Sequence, residues 1–126
     1  MAGVGQNVDL TDEEDVKEYL DNLGIEYRFG CYSEKNPKAC QLLGEFMESV
    51  TRERVQAFKV FEQNCIQNNH APSCNKAGHY KVVGHPDIEA DPDLGYKYLA
   101  QGKFMIFQVV YSAKSRITLL SLLKNH

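Results

Sequence analysis

Tryptophan is absent from this sequence, and proline (4 residues) and glycine (9) are scarce. Collagen-like and low-complexity chains need far more of both, so neither class applies. No Asn-x-Ser/Thr sequon occurs, and residues 1–9 lack the basic flank and apolar core of a secretory signal. The same stretch has no arginine, which a matrix presequence would carry. Basic excess is missing too. Lys plus Arg is 14 against 17 for Asp plus Glu, a net charge of −3, which argues against nucleic acid because phosphate neutralisation needs a basic face. There is no C-x-x-C, hence no thioredoxin-like redox motif and no zinc knuckle. Gly3 and Gly5 begin a phosphate-loop pattern that no third glycine completes.

What remains is an ordinary globular composition, 43% hydrophobic and 25% charged over 126 residues, enough for one domain. Charge is unevenly spread. All 17 acidic residues lie within 1–102, whereas Lys103, Lys114, Arg116 and Lys124 leave 103–126 purely basic. That tail has two apolar blocks, 104–111 and 117–123, separated by Lys114 and Arg116. Two cations at the centre of a membrane span are costly, so the tail is expected to be a divergent extension and not an anchor.

The four cysteines carry a repeat. Cys31 and Cys65 lie 34 residues apart, as do Cys40 and Cys74, Gly44 and Gly78, and Phe46 and Tyr80. Tyr27 meets Phe61 and Val16 meets Val50 at the same offset. A period of 34 belongs to solenoids of stacked helical hairpins. Local signals agree. Thr11 to Glu14 reads as a capping box ahead of a stripe formed by Val16, Tyr19, Leu20 and Leu23. Asn36-Pro37 opens a helix carrying Leu42, Leu43, Phe46, Met47 and Val50. Thr51 caps the next, with Val55, Phe58, Phe61 and Cys65 facing inward, and Pro72 opens its partner. A glycine inside a helix costs about 1 kcal/mol against alanine, so Gly44 and Gly78 at matched positions predict close helix approach. Residues 84–92 read as a loop, and Leu94, Tyr98 and Leu99 begin a third first-helix. The expected organisation is an all-α solenoid of TPR-like hairpins. Repeat 1 covers about 12–50, repeat 2 about 51–84 and a partial repeat 3 about 92–102, so the repeat domain is 1–101 and the tail 103–126.

Each cysteine pair is C-x8-C with a proline in the spacer. Proline ends the helix between the two sulfurs, placing Cys31 at the end of one helix and Cys40 at the start of the next, with Cys65 and Cys74 alike. A disulfide across each hairpin is worth roughly 2.5–3 kcal/mol by loop entropy. Zinc ligation and reduced, buried thiols in a cytosolic adaptor are the competing readings. Bridges imply an oxidising compartment. With neither signal nor sequon, the mitochondrial intermembrane space fits best.

The paired helices, C-x8-C spacing and small-residue-Gly-x-aromatic signature resemble the Sel-one-like repeats of the cysteine-rich Hcp/β-lactamase-like family, over about residues 1–101. The resemblance implies that Cys31, Cys40, Cys65 and Cys74 match the family's bridged cysteines. It implies a protein of the intermembrane space whose disulfides an oxidative import relay installs. Its expected role is in assembling cytochrome c oxidase and also complex I. Partners would be complex IV assembly intermediates or copper-site assembly proteins, held on a concave face, with no membrane span and no nucleic acid. Members are described as binding haem and reducing disulfides, so a haem-binding thiol–disulfide reductase is the alternative to a non-catalytic scaffold. No haem ligand carries over. The family continues through further repeats where this chain has Gly102 and an unrelated tail, as in a truncated form. Lactamase activity is not expected. Ser73 to Lys76 matches S-x-x-K, but so does Ser121 to Lys124, and no Ser-Asp-Asn or Lys-Thr-Gly accompanies either. His70, His79, His85 and His126 lack metal-binding spacing; His79 beside Gly78 is the one candidate for a haem contact, against a solvated imidazole. The run Asp12 to Asp15 reads as a helix N-terminus favoured by the dipole.

Overall fold

A computed structural model describes residues 8–103. Their architecture is all-helical, with no strand among them and a single antiparallel bridge between His85 and Ile88 in the loop after the second hairpin. Helix α1 (Glu13–Arg28) runs directly into a π-turn, Phe29–Ser33, and hairpins onto α2 (Pro37–Ser49). Helix α3 (Arg54–Asn68) hairpins onto α4 (Ala71–Val83). A further helical stretch covers 92–103. The tail 104–126, with its two apolar blocks and His126, lies outside the described residues.

The 34-residue register survives into the backbone. Helices α2 and α4 both have 13 residues, and their ends are offset by one period. Each turn inside a hairpin passes through one left-handed residue at the same register, Lys35 (φ 56°) and Asn69 (φ 51°), and the turn between the hairpins has Arg52 (φ 60°). Side chains with a Cβ adopt this region sparingly, so the turn geometry is imposed by the hairpin closing around it. Asn36 caps α2, its side chain accepting from the amides of Lys38 and Ala39, with Pro37 inside the first turn.

Two local expectations change. The cap of α1 is Asp12, which accepts from Glu14 and Asp15 amides, while the Thr11 hydroxyl turns back to Asp9. A carboxylate next to the first turn outcompetes a hydroxyl because it adds charge to the dipole interaction. Thr51 does not cap α3. Its hydroxyl donates to the Met47 carbonyl at 3.4 Å, and Glu53 occupies the cap position without a side-chain bond. On α2, Leu43, Phe46 and Met47 are buried, whereas Leu42 and Val50 are exposed. One stripe faces the neighbouring helices, and residues one step off it face outward.

The core runs along the stack. Leu43, Ala57, Phe61, Cys65, Cys74 and Ala77 are fully covered. The substantial packing joins elements consecutive in the chain, α1 to α2, α2 to α3 and α3 to α4. Such quasi-one-dimensional packing is what a stacked-hairpin array requires.

Candidate functional site

Two features set the chemistry of the described surface: the disulfide crossing each hairpin and the interface between hairpins. Cys31 lies in the π-turn and Cys40 in the first turn of α2, with their sulfurs 2.06 Å apart. Cys65 at the end of α3 and Cys74 at the start of α4 are joined at 2.09 Å. All four thiols are therefore engaged, and no free cysteine remains to bind zinc or stand as a buried thiol. No cluster of three or more His, Cys, Asp or Glu forms a metal site among the described residues.

The two bridges differ in surroundings. Cys65 and Cys74 are 0% exposed; Cys31 and Cys40 are 7% exposed and line a surface cavity of about 80 Å³. Tyr32, Lys35, Gln63 and Gln67 form its walls.

At the hairpin interface, Gly44 and Gly78 sit where helices touch. A Cβ on Gly44 would collide with the ring of Phe61 on α3, and one on Gly78 would fall 2.8 Å from the Gly95 carbonyl. Phe61 and Gly95 are themselves one period apart. The register mates Phe46 and Tyr80 each make an edge-to-face contact with an aromatic of their own hairpin. Phe46 meets Tyr27 at 6.0 Å, and Tyr80 meets Phe58 at 5.9 Å. Tyr80 pairs with Phe58, a turn before Phe61, because Phe61 is committed to Gly44.

Sequence spacing gave no warning of the polar network that ties the hairpins together. Asn64, buried on α3, donates to the Pro37 carbonyl (3.0 Å) and to Ser73 Oγ (2.7 Å), and Ser73 donates to Gln41 (2.6 Å). Asn68 closes the network onto Asn64 Oδ1 at 2.7 Å. The sole signal was adjacency, since Asn64 precedes Cys65 and Ser73 precedes Cys74. Farther along, Glu48 accepts from Tyr80 and pairs with Lys76 at 2.9 Å, while Tyr98 donates to Glu62 at 2.8 Å. Burial first, then the facing carboxylates, push both the Tyr80 and Tyr98 phenols up to about 12.

Neither of the two grooves that follow joins an apolar wall to a His, Cys or Met ligand for haem. The cysteines are consumed by disulfides, and His79 is exposed on α4. His85 lies in a groove walled by Arg52, Glu53, Arg54 and Asp87, too charged for a macrocycle. The more apolar groove formed by Leu10, Val16, Leu20 and Val50 offers no His, Cys or Met ligand. No helix among the described residues is long and apolar enough to cross a membrane.

Known proteins with this sequence pattern share one description. The chain is 44% identical over 96 residues to cytochrome c oxidase assembly factor 7 homolog of Drosophila melanogaster, covering 75% of this chain and 36% of that protein. Against cytochrome c oxidase assembly factor 7 of Xenopus tropicalis it is 44% identical, covering 76% and 40% respectively. Against the Homo sapiens protein of that name it is 40% identical over 91 residues, covering 72% and 38%. It is a homologue of these assembly factors. The chain spans less than half the length of these assembly factor 7 relatives, 36–40% in the three comparisons. No protein-family model matches it.

Proposed function

We propose that the chain acts in the assembly of cytochrome c oxidase, in the mitochondrial intermembrane space, as a binding scaffold and not as a catalyst. The observation that carries this reading is its homology to the assembly factor 7 proteins, whose name states that role. Two disulfides in so small a chain support an oxidising compartment, and an import relay that oxidises cysteines would install them there. In this reading the hairpins, about 12–50 and 51–84 with the partial unit 92–102, are Sel-one-like repeats. The Cys31–Cys40 and Cys65–Cys74 bridges, with Gly44, Gly78, Phe46 and Tyr80 at the packing surfaces, hold a rigid frame. That frame presents a concave face to assembly intermediates of complex IV or to copper-site assembly proteins, and its role extends to complex I.

The test is complementation in cells depleted of their assembly factor 7. Mature cytochrome c oxidase on native gels should recover when the chain is expressed, and mild-detergent purification should retain assembly intermediates. Protease added to mitochondria with ruptured outer membranes should digest it, and protease added to intact ones should not. Protection in both conditions would refute the intermembrane assignment, and undiminished enzyme loss would refute the assembly role.

A further inference from the structure

Helix α1 and the π-turn that follows it turn one uncovered stripe to solvent. Glu14, Glu18, Asp21, Ile25, Phe29 and Tyr32 succeed one another at steps of three or four residues, the spacing of a single helix face, and all six are exposed. The stripe is divided. Its first half is acidic, with Lys17 beside it, and none of its three carboxylates forms an ion pair among the described residues. Its second half is apolar, with Ile25 65%, Phe29 53% and Tyr32 48% exposed. Beside the acidic half, toward the start of α1, Leu10, Val16, Leu20 and Val50 wall an apolar groove that Asp21 borders.

Residues 104–126, outside the described structure, carry the complementary chemistry in the matching order. An apolar block at 104–111 is followed by Lys114 and Arg116 and then by a second apolar block at 117–123, with no acid among them. This segment also begins at the right end of the stack. Gln101 donates to Asn69 in the α3–α4 turn, while Tyr32 shares a cavity wall with Gln67 and Asn68 at the end of α3. The 92–103 helix and the apolar half of the stripe therefore flank the same end of α3, roughly one helix diameter (about 10–12 Å) apart. About four extended residues cross that gap at roughly 3.3 Å each. The stripe from Tyr32 back to Glu14 is about 27 Å long at about 1.5 Å per residue, within reach of the rest of the segment.

We propose that residues 104–123 dock in cis along this face of α1, antiparallel to it. Residues 104–111 cover Tyr32, Phe29 and Ile25, the cations Lys114 and Arg116 meet Asp21, Glu18 and Glu14, and 117–123 enter the groove. Burial of the apolar stripe drives the docking, and the charge pairs set its direction, because exposed pairs add little energy but disfavour the reversed register. This contact is independent of the assembly reading and survives or fails without it.

The oxidised full chain is treated with a zero-length carbodiimide, and the amide links are mapped by mass spectrometry. Lys114 should link to Asp21, Glu18 or Glu14 in preference to other carboxylates, at a yield unchanged by dilution. Links chiefly to acids of α3, of α4 or of the 84–91 loop, or no reproducible link, overturn the proposal. In a mixture of isotopically heavy and light chains the links should join like with like. Heavy-to-light links place a second copy's tail on α1 and overturn docking in cis. Ile25→Ser/Phe29→Ser keeps every carboxylate and alters only exposed side chains, so these links should fall several-fold while helical circular dichroism is retained. Undiminished links overturn the role of the apolar half. A separate arm follows release of tail peptides by chymotrypsin. Glu18→Lys/Asp21→Lys should speed it several-fold, and adding Lys114→Glu/Arg116→Glu should bring it back toward the wild-type rate. No acceleration, or no recovery in the charge-swapped chain, overturns the pairing.

Discussion

Gly44 and Gly78 are register mates, yet a methyl group added at each meets a different obstacle. At Gly44 it collides with the ring of Phe61, a fully buried side chain that has few other places to go. At Gly78 it meets the backbone carbonyl of Gly95 as well as Leu99, and a carbonyl in a helix cannot rotate aside. Overpacking of this kind costs typically 1–3 kcal/mol, so Gly44→Ala should lower stability by about that amount. Gly78→Ala should instead displace the 92–103 helix. Urea titration monitored by helical circular dichroism measures the first. Loss of the Tyr98 fluorescence environment before global unfolding reports the second. The phenols provide a separate check. Tyr80 and Tyr98 have their ionisation raised to about 12 from an ordinary 10. A folded-state value above the unfolded one means stability is intact below about pH 10 and drains away as pH rises toward 12. Alkaline titration followed by phenolate absorbance, compared between wild type and the Tyr80→Phe and Tyr98→Phe variants, should show these two tyrosines ionising only together with unfolding. Their ionisation near pH 10 with the helical circular dichroism intact would contradict the buried Tyr–carboxylate contacts.

Among the elements, the hairpin turns show what a sequence can and cannot specify. Period, helix count and the cysteine pairing across each turn were legible because cysteine, glycine and aromatic side chains kept one spacing, and the backbone of α2 and α4 repeats that spacing to the residue. The caps at Thr11 and Thr51 were misread because a neighbouring Asp12 or a returning hydroxyl bond can take over a cap, a competition decided by local geometry. The Asn64–Ser73–Gln41 network was illegible for another reason. Its members come from three elements, and no spacing rule links residues that meet only after the hairpins stack. The difference between the two turns is itself testable. Asn36 caps α2 with its side chain, whereas His70, at the equivalent place before α4, makes no side-chain cap bond. Burial also lowers the His70 pKa from 6.5. A base whose folded value is depressed adds stability above the unfolded value and loses it as pH falls through the folded one. His70→Asn should therefore stabilise the chain by about 1 kcal/mol at neutral pH and flatten the decline in melting temperature between pH 7 and pH 5. A variant no more stable than wild type at both pH values would show that the α4 terminus is satisfied in another way.

At the scale of the whole molecule, stability should follow position in the stack. Helix α3 lies between α2 and α4 and buries Ala57, Phe58, Val60, Phe61, Asn64 and Cys65. Helix α1, at the start of the described residues, buries only Gly24, and its stripe of Val16, Tyr19, Leu20 and Leu23 is half-covered. In an array where each unit touches only its neighbours, a helix covered on one side opens at lower free energy than one covered on both. The Cys31–Cys40 bridge tethers the C-terminal end of α1 to α2 but leaves its first three turns held by packing alone. Native-state hydrogen exchange on the oxidised chain should accordingly be graded. Amides of α3 and of α4 around Cys74 should exchange only through global unfolding, and those of α1 between Val16 and Leu23 through local opening insensitive to low denaturant. Reducing both bridges should steepen the gradient, freeing the α1 end first, since its tether replaces packing that α3 has in full. Uniform protection across α1 and α3 would mean that the hairpins form one cooperative core, and the repeat description of stability would then fail.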